Sequence, residues 1–139
     1  MNEPEVMLEM LGGYERRPRT LAVVGLSENP ARPSHSVSAC MQRHGYRILP
    51  VNPGVASVLG ERCYPSLSEL PMRPDVVNVF RLPRYIPEIV DQMIELGFQN
   101  LWVQLGIRHE AAAIHAEEEA IRVVMDRCIL IEHGRLLGA

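Results

Sequence analysis

Short apolar runs exchange with amphipathic stretches along the whole chain, and this alternation predicts strands separated by helices. Leu21–Val24, Tyr46–Val51, Asp75–Phe80, Leu101–Gln104 and Ile121–Met125 are mostly apolar runs of four to six residues, the pattern of strands buried on both faces. Ahead of them Val6, Met7, Met10 and Leu11 recur at helical spacing, which predicts a leading amphipathic helix from Pro4 to Arg16, ended by Pro18. Further helices are predicted from Ser34, as N-cap, to His44 with Gly45 as the stop, and from the Pro83/Pro87 pair to Leu96 with Gly97 as the stop. Two more run from Glu110 to Glu119 and through Cys128–Leu136, the latter capped by Asp126. Ser66-x-x-Glu69 has the form of a capping box and predicts one short helical turn, while Asn52-Pro53-Gly54 predicts a turn without helix.

Strands that alternate with helices require a parallel sheet with right-handed crossovers. The fold expected is a small, three-layer α/β domain with a doubly wound parallel five-stranded sheet over residues 20–139, preceded by a helical extension over residues 1–19. Ligands of such sheets sit beyond the carboxyl ends of the strands, where the strand order reverses.

Composition narrows the function classes. A chain of 139 residues with net charge −3 has neither room for a second core nor the basic footprint of a nucleic-acid binder. No apolar stretch approaches the ~20 residues of a membrane helix, and the acidic start Met1-Asn2-Glu3-Pro4-Glu5 is unlike a signal peptide, so a cytoplasmic location without membrane partners is expected. Cys40, Cys63 and Cys128 are odd in number and widely spaced, which predicts reduced thiols. His35, His44, His109, His115 and His133 show no metal-ligand spacing. All 14 basic residues are arginine, which excludes a P-loop lysine, a Schiff-base lysine and a lysine general base.

The chemistry points to the loop after the first strand. Gly25-Leu26-Ser27-Glu28-Asn29-Pro30 joins a strand to a helix, the arrangement that offers backbone N–H groups to a phosphate. A dinucleotide fingerprint needs glycine at the first, third and sixth positions, where this loop has Gly25, Ser27 and Pro30. Nicotinamide sites also carry an acid after the second strand, and this chain has Asn52. Arg32 and Arg81 are suited to bidentate phosphate contacts, and Val51 with Pro53 to flanking a flat base. This favours a nucleotide with an extra phosphate, a description that covers both NADP and coenzyme A.

The succession Val24-Gly25-Leu26-Ser27-x-Asn29-Pro30-x-Arg32-Pro33-Ser34, Pro50-Val51-Asn52-Pro53, Tyr64-Pro65-Ser66-Leu67, Asp75-Val76-Val77-Asn78-Val79-Phe80-Arg81, Trp102-Val103-Gln104-Leu105-Gly106-Ile107 and Val123-Val124-Met125-Asp126-Arg127-Cys128 resembles the stand-alone CoA-binding protein family. These are small bacterial proteins similar to the CoA-binding domain of the succinyl-CoA synthetase alpha subunit. The resemblance runs from about Thr20 to Leu136. It implies a Rossmann-like domain that binds CoA or acyl-CoA.

By the same resemblance Gly25, Leu26, Ser27 and Asn29 would hold the pyrophosphate with Arg32 and Ser34 beside it. Val51, Asn52 and Pro53 would hold the adenosine, Phe80 and Arg81 would line the ligand's path, and Gln104 would face the pantetheine. No catalytic group is inherited, so binding without ligation is expected. The alternatives are a subunit of a split acyl-CoA synthetase whose partner chain supplies catalysis, and an NAD(P)-dependent oxidoreductase. Apolar helix faces beside an open sheet edge would suit a homodimer.

Overall fold

The computed structural model describes residues 1–13, 15 and 17–138. β1 (Thr20–Val24), β2 (Arg47–Val51), β5 (Val76–Val79), β6 (Asn100–Val103) and β7 (Arg122–Met125) form one sheet in the order β2-β1-β5-β6-β7 with all pairs parallel. The order reverses between β1 and β5. A parallel sheet needs a crossover between successive strands; α2 (Pro33–Arg43), α3 (Ile86–Leu96) and α4 (Glu110–Glu118) supply three of them, and the chain from β2 to β5 crosses without an α-helix. The architecture is thus the doubly wound, Rossmann-like α/β fold that the hydrophobic pattern predicts.

Strand faces sort the core into two layers. Ala22, Val77, Leu101 and Val123 pack beneath Val90 and Met93 of α3 and Ala113 and Ala116 of α4. The opposite-facing Leu21, Val23, Trp102 and Val124 pack against Met41 of α2, against Met7 and Met10 of α1 (Pro4–Met10), and against Ile129 of α5 (Ile129–Leu137). Each fully buried Val, Leu, Ile or Met side chain among them stabilises the fold by about 1.5–3 kcal/mol through removal from water. Trp102 is fully enclosed, and its indole N–H is satisfied by the Arg127 carbonyl at 2.9 Å.

Strand register decides which residues share the carboxyl edge. Val51, Val24, Val79, Val103 and Met125 pair successively across the sheet and form one row. The next residue of each strand therefore opens onto the same edge. That second row reads Asn52, Gly25, Phe80, Gln104 and Asp126.

Several local expectations need correction. α1 stops at Met10 because the chain turns at Leu11 into Gly12, whose φ of +75° leaves the helix. Arg16, where the periodicity placed that helix's end, lies outside the described residues, as does Ala139. Ser34 is not the N-cap of α2; Arg32 holds that place without a side-chain cap. Ser66 precedes a single 3-10 turn at Leu67–Glu69, but its hydroxyl bonds Ser68 at 2.9 Å instead of capping it. Asp126 does not cap α5 either.

The sequence pattern also misses the antiparallel pair β3 (Ser57–Val58) and β4 (Glu61–Arg62), which is too short to show a period. After it Tyr64 exchanges two backbone hydrogen bonds with Pro50 and Asn52, both 2.9 Å, and shields the free edge of β2. The other edge is guarded by Asn2, whose amide bonds the Met125 carbonyl (2.9 Å) and N–H (2.7 Å).

Candidate functional site

Gly25 adopts φ +87°, a left-handed conformation that disfavours any side chain. A Cβ there would stand 2.5 Å from the Phe80 carbonyl oxygen and 3.0 Å from Arg81 Cδ. Glycine is thus required twice over, by backbone angle and by the close approach of the chain leaving β5. This is the topological switch point, and a crevice opens along it.

Two cavities meet at this glycine. The larger, about 620 Å³, runs from Gly25, Ser27 and Arg32 over Phe80 and Gln104 toward Cys128. The smaller, about 170 Å³, is bounded by Val51, Asn52, Pro53, Tyr85 and Glu88. Gly25 and Arg81 line both. Of the sequence-predicted site residues, Gly25, Ser27, Arg32, Ser34, Phe80, Arg81 and Gln104 border the first cavity, and Val51, Asn52 and Pro53 the second. Leu26 and Asn29 border neither. The Leu26 side chain is turned fully into the core.

Short polar side chains hold the loop closed on itself. Ser34 Oγ accepts from the Ser27 N–H, Ser27 Oγ from the Asn29 N–H, and Asn29 Oδ1 from the Ala31 N–H, each at 3.0 Å. Asn52 joins the first two loops: its Nδ2 donates to the Leu26 carbonyl at 3.0 Å while its Oδ1 accepts from the Gly54 N–H at 3.0 Å. Serine and asparagine at such places mimic backbone turns. The Ser27 and Asn29 N–H groups are therefore spent inside the loop. The N–H groups of Leu26, Glu28 and Ser34 donate to nothing among the described residues, and they are the donors left for an anion.

Positive charge completes the edge. Neither Arg32 nor Arg81 has a carboxylate within ion-pair distance among the described residues, although the chain as a whole is acidic. The Arg81 guanidinium lies over the Tyr85 ring, 4.0 Å from its centroid, a cation–π contact that fixes the charge between the two cavities. Arg84 donates to the Tyr85 hydroxyl at 3.1 Å, and that bond with the neighbouring cationic charge holds the phenol below its ordinary pKa. Tyr85 escaped the sequence reading because it lies in a 3-10 turn at Pro83–Tyr85 with no period to mark it.

At the far end Gln104 is buried and donates through Nε2 to Asn78 Oδ1 at 2.7 Å. This pair ties β6 to the middle of β5; Asn78 looked like an ordinary strand residue in the sequence. Asp126, with φ +62°, accepts from the Gly106 N–H at 2.6 Å and faces Arg108 at 3.3 Å. The Gly106 amide bond, with Arg108 beside it, holds the Asp126 carboxyl below the usual range. It fastens the loops after β6 and β7 together. Among the described residues no group of three or more metal-binding side chains converges, and no helix is long and apolar enough to cross a membrane.

Comparison with known proteins bears on this edge. The chain is 40% identical over 119 residues to the uncharacterized protein YneT of Bacillus subtilis (strain 168), covering 86% of this chain and 88% of that one. A hypothetical protein from Pyrococcus horikoshii OT3 superposes with a TM-score of 0.88 at 36% identity, over 98% of this chain and 93% of the other. An ADP-forming acetate–CoA ligase II of Archaeoglobus fulgidus is 26% identical over 85 residues, 60% of this chain but only 13% of that protein. The family model described as "CoA binding domain" matches residues 19–134, spanning every strand of the sheet and the whole switch-point crevice, and the chain belongs to that family.

Proposed function

We propose that the protein binds coenzyme A or an acyl-CoA along the carboxyl edge of its sheet and makes no bond itself. The observation that carries this reading is the meeting of two cavities at Gly25 and Arg81. An extended ligand with a diphosphate in its middle fits that layout. The smaller cavity takes the adenosine between Val51, Pro53 and Tyr85. The junction takes the diphosphate on the Leu26, Glu28 and Ser34 N–H groups with the Arg81 and Arg32 guanidiniums. The longer groove takes the pantetheine over Phe80 and Gln104.

Charge-assisted contacts from a planar guanidinium suit phosphate oxygens, and Arg81 is held in place by Tyr85 before any ligand arrives. Absence of bond-making is supported by the groove's polar side chains. Ser27, Ser34 and Gln104 are each occupied in holding loops together, none is paired with a base, and the Cys128 thiol, which also lines the groove, has no hydrogen-bonded base among the described residues.

Titration calorimetry with CoA, 3′-dephospho-CoA and NADPH tests the proposal. CoA should bind, dephospho-CoA should bind about tenfold or more weakly through loss of the 3′-phosphate's contact with Arg81, which borders the adenosine cavity as well as the junction, and NADPH should give no saturable heat. Absence of heat with CoA overturns it. The match to one stretch of an acetate–CoA ligase supports a second role, presentation of CoA to a partner enzyme. Co-purification of a ligase subunit from native lysate, lost on adding free CoA, would be its signature.

A further inference from the structure

Four large apolar residues are more than half exposed among the described residues, Leu82 (58%), Leu105 (60%), Ile114 (58%) and Ile131 (57%). Three of them border one groove. Leu82 follows β5, Leu105 follows β6 and Ile131 stands on α5, and all three line the larger cavity with Ile107 and Cys128. Exposed apolar residues scattered singly need no explanation, whereas a cluster at the mouth of a cleft marks a binding surface.

We infer that this cluster is a platform for the acyl group, and that the preferred ligand is an acyl-CoA whose acyl chain is apolar and several carbons long. The inference rests on the CoA reading above. Register gives it direction. From β2 to β7 the edge presents, in order, the base-sized cavity, the arginine-bearing junction with Leu82 beside it, the buried Gln104 with Leu105 beside it, and then Cys128 and Ile131 from the segment after β7. An extended CoA laid in that order ends with its sulfur near Cys128, and whatever the sulfur carries falls on Leu105 and Ile131. The charged side chains that line this groove, Arg32 and Arg81, are the ones the CoA reading gives to the diphosphate, whereas Leu105, Ile107 and Ile131 are apolar, so a carboxylate-bearing acyl group laid on them would lose hydration without a partner.

Calorimetry with free CoA, acetyl-CoA, hexanoyl-CoA and succinyl-CoA tests the inference. A methylene wholly removed from water strengthens binding about fourfold, and on an open platform about half of that free energy is expected, roughly twofold each. The four additional methylenes of the hexanoyl group should thus tighten binding at least about tenfold over acetyl-CoA, with succinyl-CoA no tighter than free CoA. Ile131→Asn should bring the hexanoyl-to-CoA affinity ratio toward one, and hexanoyl-CoA should slow alkylation of Cys128, read by peptide mapping, more than free CoA does.

Binding of CoA with no gain from the hexanoyl group overturns the platform and leaves the CoA reading standing. Failure of every CoA species to bind overturns both. A dimer by light scattering that Ile131→Asp dissociates, with no acyl preference, assigns the cluster to a second copy of the chain and overturns the platform as well.

Discussion

At the carboxyl edge of the sheet, among the described residues, Arg32 and Arg81 have no carboxylate partner and the N–H groups of Leu26, Glu28 and Ser34 remain unspent. The amino edge is arranged the other way. There α1, the end of α2 and α5 enclose a cavity of about 410 Å³ beside Pro18 and Tyr46, which lead into β1 and β2. Tyr46 donates its hydroxyl to the Leu11 carbonyl at 2.6 Å, and burial pushes the phenol up to about 12. Arg17 and Arg19 face Glu15 at 3.7 and 3.5 Å. At this end the Tyr46 hydroxyl ties the chain that follows the leading helix to the domain and the arginines face a carboxylate, whereas at the other end the two guanidiniums face none among the described residues. A cavity alone says little about function, since both ends have one, and the difference lies in what the surrounding charges and donors are already doing.

The largest effect should come from Gly25→Val. Its Cβ would meet the Phe80 carbonyl in a left-handed backbone, costing about 2–3 kcal/mol of stability and abolishing CoA binding, measured by thermal unfolding and calorimetry on the same sample. Binding retained by a folded Gly25→Val protein would break the contrast between the two edges. Gln104→Leu should follow, at about 1–3 kcal/mol, because it leaves Asn78 Oδ1 buried without a donor. Denaturant unfolding would read it.

At the amino edge Tyr46→Phe should cost about 1–2 kcal/mol by orphaning the Leu11 carbonyl, with CoA affinity unchanged. A parallel loss of affinity would show that the two ends are coupled.

The smallest effect concerns pH. The rings of His133 and His44 lie 4.5 Å apart, and burial together with the neighbouring imidazole lowers the His133 pKa. The unfolded chain then takes up the proton first. Stability should be flat above the ordinary histidine range and fall as pH drops through about 6.5 toward the lowered folded value, by at most about 1.4 kcal/mol per pH unit. His133→Leu should flatten that slope in urea midpoints measured between pH 5 and 8.

The five parallel strands and the helical crossovers were legible because buried parallel strands are continuous apolar runs and Gly45 and Gly97 stop helices in the expected way. Gly25, Arg81 and Gln104 were legible as strand-end residues for the same reason. What the pattern could not show was how short polar side chains would be used. Ser34 and Asp126 read as helix caps, yet Ser34 ties the first turn of α2 back to the loop before it, 7 residues earlier, and Asp126 joins the loops after β6 and β7, 20 residues apart. Asn52 similarly bonds the loop of a different strand.

Local propensity and hydrophobic period act over a few residues, so the sequence by itself determined the five sheet strands, the helices between them and their order, and hence the edge at which ligands of such a sheet sit. The pairing of Val24 with Val51 and Val79 brings residues far apart in sequence to one level. Only that tertiary register decided which N–H groups remain free, where the guanidinium of Arg81 rests, and that Leu82, Leu105 and Ile131 share one groove. A hydrogen bond or an apolar contact depends on distance in space, which no window along the chain contains.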